Sequence, residues 1–155
     1  MRYVRSLVLG LLPAIGCWLV LQYLVPELVL GNTVRISPRA VPPDLTDWLT
    51  GFKQVATIVM AVFAAGSVVW VLTGLRTRVE EKLPDMRWVW WLVGIISIGL
   101  GMGYGLWKTP PAWSGAWFPI LCYVLSGALS YWLGTVVGSP PAVKYTPAFS
   151  MWLRR

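Results

Sequence analysis

Four long apolar runs govern everything this chain can fold into. They are Ser6–Val25, Phe52–Leu75, Trp88–Trp107 and Ala116–Gly138. Each is close to the roughly 20 residues a helix needs to cross about 30 Å of hydrocarbon at about 1.5 Å per residue. No Asp, Glu, Lys or Arg lies in the middle of any of them. The chain has 155 residues, of which 57% are hydrophobic and only 12% charged. A water-facing fold of this length has too little interior for so much apolar surface. The expected fold class is therefore an all-α integral membrane protein with four transmembrane helices.

The expected spans are 6–26, 51–76 (extending to about 83), 87–107 and 116–138. Outer loops cover 27–50 and 108–115, and a tail covers 139–155. Pro13 is expected to kink the first helix, because it removes one backbone hydrogen bond inside the span. Pro26–Glu27 is read as the exit. Asp85 is read as capping the third helix, and Pro119 falls in the first turn of the fourth, where proline costs little.

Orientation follows from the 13 Lys and Arg residues. With the N-terminus inside, Arg2, Arg5, Arg76, Arg78, Lys82, Arg87, Lys144, Arg154 and Arg155 are cytoplasmic. Arg35, Arg39, Lys53 and Lys108 are outside. Nine against four favours N-in/C-in. Trp residues fall at the span edges: Trp48, Trp107, Trp113 and Trp117 at the outer one, Trp70, Trp88, Trp90 and Trp91 at the inner. An apolar ring with one N–H donor suits that depth. Trp18 is the exception, near mid-span, and its indole N–H needs a partner.

Several chemistries are disfavoured. The chain has no histidine, which removes the usual haem ligand, the commonest metal ligand and the usual triad base. Cys17 and Cys122 stand alone in apolar runs, without metal or disulfide spacing. The stretch Ala14–Cys17 lacks the leucine of a lipoprotein cleavage box, and the apolar run continues past it. Proton-coupled carriers need an ionisable group near mid-bilayer, and Gln22, the nearest polar group in the first span, cannot titrate. Glu80, Glu81 and Asp85 are interleaved with Arg78, Lys82 and Arg87, which reads as a solvated helix end. The net charge of +7 lies between apolar runs, so it is assigned to topology and anionic headgroups rather than nucleic acid. No catalytic residue, metal or cofactor is expected.

Small residues mark where helices meet. Ser126, Ser130, Gly134 and Gly138 repeat every four residues along one face of the fourth span. Gly99/Gly103 and Gly101/Gly105 form two overlapping GxxxG pairs in the third. Such residues let backbones approach closely where no hydrophobic effect drives association. The fourth-span face is expected to pack on the third-span glycines inside the bundle or on another subunit. Partner docking is assigned to Arg35 and Arg39 in the first outer loop, and to Lys144, Tyr145, Phe149, Trp152, Arg154 and Arg155 in the tail. Membrane-surface anchoring is an equal reading for the tail.

These features point to a non-enzymatic accessory or assembly subunit of a larger complex in a bacterial inner or other energy-transducing membrane. Its expected partners are lipid, other membrane subunits or further copies of itself. A small oligomeric channel or transporter is the second reading, with an uncharged path along Gln22, Thr57, Ser67, Ser97, Ser126, Ser130 and Thr135. A third is pigment or quinone binding on the glycine face of the third span.

Overall fold

The computed structural model describes residues 2–31, 45–76, 83–108, 117–140, 143–144 and 146–150. Within them the chain is helical, with no strand. An α-helix Arg2–Leu19, a π-helical turn Val20–Leu24 and an α-helix Val25–Leu30 run on as one element, α1. Then come α2 (Leu45–Arg76), α3 (Leu83–Lys108) and α4 (Trp117–Gly138). Four helices are long and apolar enough to cross a membrane, over Val4–Leu30, Asp47–Arg76, Met86–Lys108 and Phe118–Gly138. The outward surface is aliphatic, with Val8, Leu12 and Ile15 exposed on α1, Leu92, Ile95 and Leu100 on α3, and Leu121 and Leu125 on α4. Apolar faces of that extent are consistent with contact to lipid chains or to another protein.

The chain does not leave the helix at Pro26. It stays helical to Leu30, and the irregular backbone lies just upstream, where Val25 N–H bonds Val20 O across the wider i→i+5 turn. Proline at 26 has no N–H to offer the carbonyl of residue 22, and its ring crowds that carbonyl. A turn with one extra residue relieves both problems while keeping the helix continuous. Pro13 sits inside the α-helical segment Arg2–Leu19. Pro84 and Asp85 fall in the first turn of α3, which begins before them. The expected extension of α2 towards residue 83 lies outside the described residues.

The four helices form a rhombus. α2 packs on all three others, α4 likewise, while α1 and α3 occupy opposite corners. Phe63 of α2 is at the centre, almost fully buried. Its ring fills the space left by Gly101 of α3 and Gly127 of α4, whose added Cβ atoms would collide with it. Tyr131 of α4 packs tightly over Gly94 of α3, and Tyr123 lies over Gly105 at ordinary contact distance. The interior is thus aromatic rings set into glycine sockets.

Candidate contact surfaces and polar clusters

The small face of α4 meets α1, not α3. A Cβ on Gly134 would lie 2.5 Å from Gly10 O, and one on Gly138 2.7 Å from Gly10 Cα and 2.9 Å from Ser6 O. No side chain fits there, so this is the closest helix approach among the described residues. Ser130, also buried, turns its hydroxyl back to Gly127 O (2.8 Å), while Ser126 is half-buried. The four-residue repeat signalled a tight contact, but its partner is one glycine in the sequence Leu7–Leu12, too sparse a signal to single out.

The α3 glycines divide by face. Gly101 and Gly105 point inward to Phe63 and Tyr123. Gly99 and Gly103 have nothing within 4 Å of where a Cβ would stand. They lie on the exposed side with Leu92, Ile95, Ile96 and Leu106. Residues two apart on a helix are about 200° apart in azimuth, so the two pairs face opposite ways.

Buried indoles carry hydrogen bonds inside the bundle. Trp70 Nε1 donates to Ser139 Oγ (2.9 Å), and Trp90 Nε1 to Thr135 Oγ1 (3.0 Å). Tyr131 Oη donates to Trp90 O (2.8 Å) and Tyr123 Oη to Phe52 O (3.2 Å). The expected aromatic belt is therefore only partial. Trp88, Trp91 and Trp107 are exposed, whereas Trp48, Trp70 and Trp90 are core residues. Hydropathy places a Trp at a depth but cannot say whether it faces lipid or a neighbouring helix.

The polar residues considered for an uncharged path are mostly back-bonded to their own helices. Ser67 donates to Phe63 O, and Thr135 to Trp132 O. Gln22 and Thr57 form a separate cluster between α1 and α2. Trp18 Nε1 donates to Thr57 Oγ1 (3.1 Å), answering the need of that mid-span indole. Gln22 Nε2 donates to Lys53 O (2.8 Å) and Thr57 Oγ1 (3.0 Å), and Thr57 donates to Lys53 O (2.9 Å). A carbonyl only accepts, so the amide nitrogen of Gln22 must face Lys53 O. Below this cluster runs a crevice of ≈ 240 Å³, open at the side. Leu11, Ala14, Ile15 and Trp18 line one wall, Thr57, Met60, Ala61 and Ala64 the other. Both sets follow i, i+3, i+4, i+7, one stripe on each helix.

The tail after α4 folds back. Val143 is fully buried, and it and Pro140 occupy the space over Gly74 of α2. Trp132 Nε1 donates to Ala148 O (2.6 Å). Trp132 lies six residues before the end of α4, about 9 Å along the axis, so Ala148 has returned to that level. A turn closed by Ser150 N–H on Pro147 O (3.1 Å) follows. Its third residue, Phe149, has φ 60° and is 72% exposed. That is the position of a type II turn normally given to glycine. Of the tail residues assigned to docking, Lys144 is half-buried and Phe149 projects. Tyr145, Trp152, Arg154 and Arg155, with Arg35 and Arg39 of the first loop, lie outside the described residues.

No protein-family model matches the chain, and neither curated proteins nor solved structures give a match.

Proposed function

We propose that the chain is a non-enzymatic accessory or assembly subunit of a larger membrane protein complex, crossing the bilayer four times with both ends cytoplasmic. The observation that carries this reading is the open notch at Gly99 and Gly103. A glycine inside a helix costs about 1 kcal/mol relative to alanine. At Gly101 the space is used by Phe63, but at Gly99 and Gly103 nothing among the described residues uses it. Two bare helix turns, flanked by Ile95, Ile96 and Leu106, suit close approach by a helix from outside the bundle. Within the tail, Pro140, Val143 and Ala148 make internal contacts, and Phe149 is the docking candidate that projects outward.

Purification from native membranes in mild detergent tests this. A complex containing at least one further chain is expected, and Gly99→Leu/Gly103→Leu should release that chain while the bundle stays folded. Recovery of a lone monodisperse monomer would rule the reading out.

A second reading, an oligomeric channel or transporter, draws on the Trp18–Gln22–Thr57 cluster, whose Thr57 lies on the exposed side of α2. Solute flux in reconstituted vesicles, unaltered by Gln22→Leu and Thr57→Val, would dismiss that path.

A further inference from the structure

A second cavity, of ≈ 210 Å³, opens at the end of the bundle where α2 begins and α3 ends. Its back wall is an aromatic ladder. Trp48 stacks on Phe52 (5.4 Å between centroids), and Phe52 stacks on Tyr123 (5.1 Å). Tyr104, Gln54 and Lys108 complete the polar side.

The polar groups are unequal in kind. Among the described residues Lys108 is the one charged residue that lines the cavity, and none of those lining it is acidic. Its ammonium stands 4.2 Å from the Trp107 ring centroid, an exposed cation–π contact that leaves its N–H donors available. Tyr104 and Gln54 also carry donors and have no hydrogen-bond partner among the described residues. Tyr123 spends its proton on Phe52 O. The cavity therefore offers positive charge and N–H or O–H donors beside a flat apolar wall. Gly51 lines it too, and a Cβ added there meets nothing within 4 Å. The opening is thus real space beside α2 rather than a gap between touching side chains.

We infer that this cavity binds an anionic amphiphile: a phosphate or carboxylate held by Lys108, Tyr104 and Gln54, with its apolar part against the Trp48–Phe52–Tyr123 wall. At ≈ 210 Å³ the cavity is smaller than the usual ligand pocket of about 300–1,000 Å³, so it takes a headgroup or a small aromatic anion rather than a large cofactor. Both a phospholipid and a free organic phosphate have this chemistry. The site is independent of the Gly99/Gly103 notch, which lies on the opposite face of α3 from the inward-facing Gly101 and Gly105.

Native mass spectrometry of the full chain in non-ionic detergent, titrated with phosphatidylglycerol, phosphatidylcholine or phenyl phosphate, separates the sources. The wild type should retain phosphatidylglycerol over phosphatidylcholine if the source is the membrane, or bind phenyl phosphate alone if it is a free anion. Lys108→Gln should weaken the preferred probe by about tenfold or more, the loss of one charge-assisted hydrogen bond, and Lys108→Arg should restore most of it. Gly51→Leu, whose Cβ enters open space and whose longer side chain extends into the cavity, should abolish binding with Lys108 intact. Equal retention of all probes, or binding indifferent to both Lys108→Gln and Gly51→Leu, would overturn the proposal.

Discussion

Gly138 of α4 stands against Gly10 of α1 with no room for a methyl group between them: a Cβ on Gly138 would come within 2.7 Å of Gly10 Cα and 3.0 Å of Gly10 N. Backbone cannot yield as a side chain can. Gly138→Ala should therefore destabilise the bundle by about 1–3 kcal/mol, the range for overpacking. Gly99→Ala, with open space around it, should have the opposite sign and stabilise the isolated chain by up to about 1 kcal/mol. Unfolding in mixed micelles measures both. Equal effects at the two sites would contradict the division of glycines by face.

Phe63 fills the junction of α2, α3 and α4. Phe63→Ala should cost about 3–5 kcal/mol. Replacing its socket instead, with Gly127→Ala, should also destabilise, since the ring already occupies that space. A thermal shift assay in detergent reads both, and tolerance of both changes would mean the ring sits elsewhere.

Thr57 accepts from Trp18 and Gln22 and donates to Lys53 O. Thr57→Val keeps the shape and removes the acceptor. The expected loss is about 0.6 kcal/mol, the average for a hydrogen bond between membrane helices, and at most about 1.7 kcal/mol. A double-mutant cycle with Gln22→Leu should show coupling of similar size, and strict additivity would argue that the two side chains do not meet.

Phe149 bears a backbone angle that costs a non-glycine residue about 1–2 kcal/mol, and its ring is mostly exposed. Phe149→Gly should raise the stability of the isolated chain by about 1 kcal/mol. If the ring serves the complex or the membrane surface, the same change should lower co-purification of a partner or vesicle binding. A variant less stable than the wild type would show that the ring packs on the chain itself.

Much of the frame is legible from hydropathy alone. Four runs without a charge near their centres define four helices, and their caps and prolines bring most boundaries close. Facing is harder to read. The alternation Gly99–Gly101–Gly103–Gly105 contains two opposed pairs, and only the placement of Phe63, a residue of another helix, decides which pair is inside. Likewise the Ser126–Gly138 stripe announces a close contact, but the rhombic arrangement gives it to Gly10. The π turn before Pro26 and the returning tail depend on relief of backbone crowding and on indole donors seeking acceptors, neither of which leaves a periodic trace. The cavity beside Gly51 leaves no trace in the sequence because its walls come from α2, α3 and α4 at once.

The pairing of α1 with α4 also sets a timetable. Gly10 and Gly138 are 128 positions apart (138 − 10). At about 5–20 residues per second of synthesis, the first span waits on the order of 6–26 s for the neighbour that covers its glycine. Gln22 and Thr57 are 35 positions apart and can meet far earlier. If the spans enter a bilayer in order of synthesis, this polar clasp between α1 and α2 is in place to hold a span with a proline, a π turn and a bare glycine until α4 arrives. Thr57→Val should accordingly lower the yield of correctly inserted chain by more than its equilibrium cost implies.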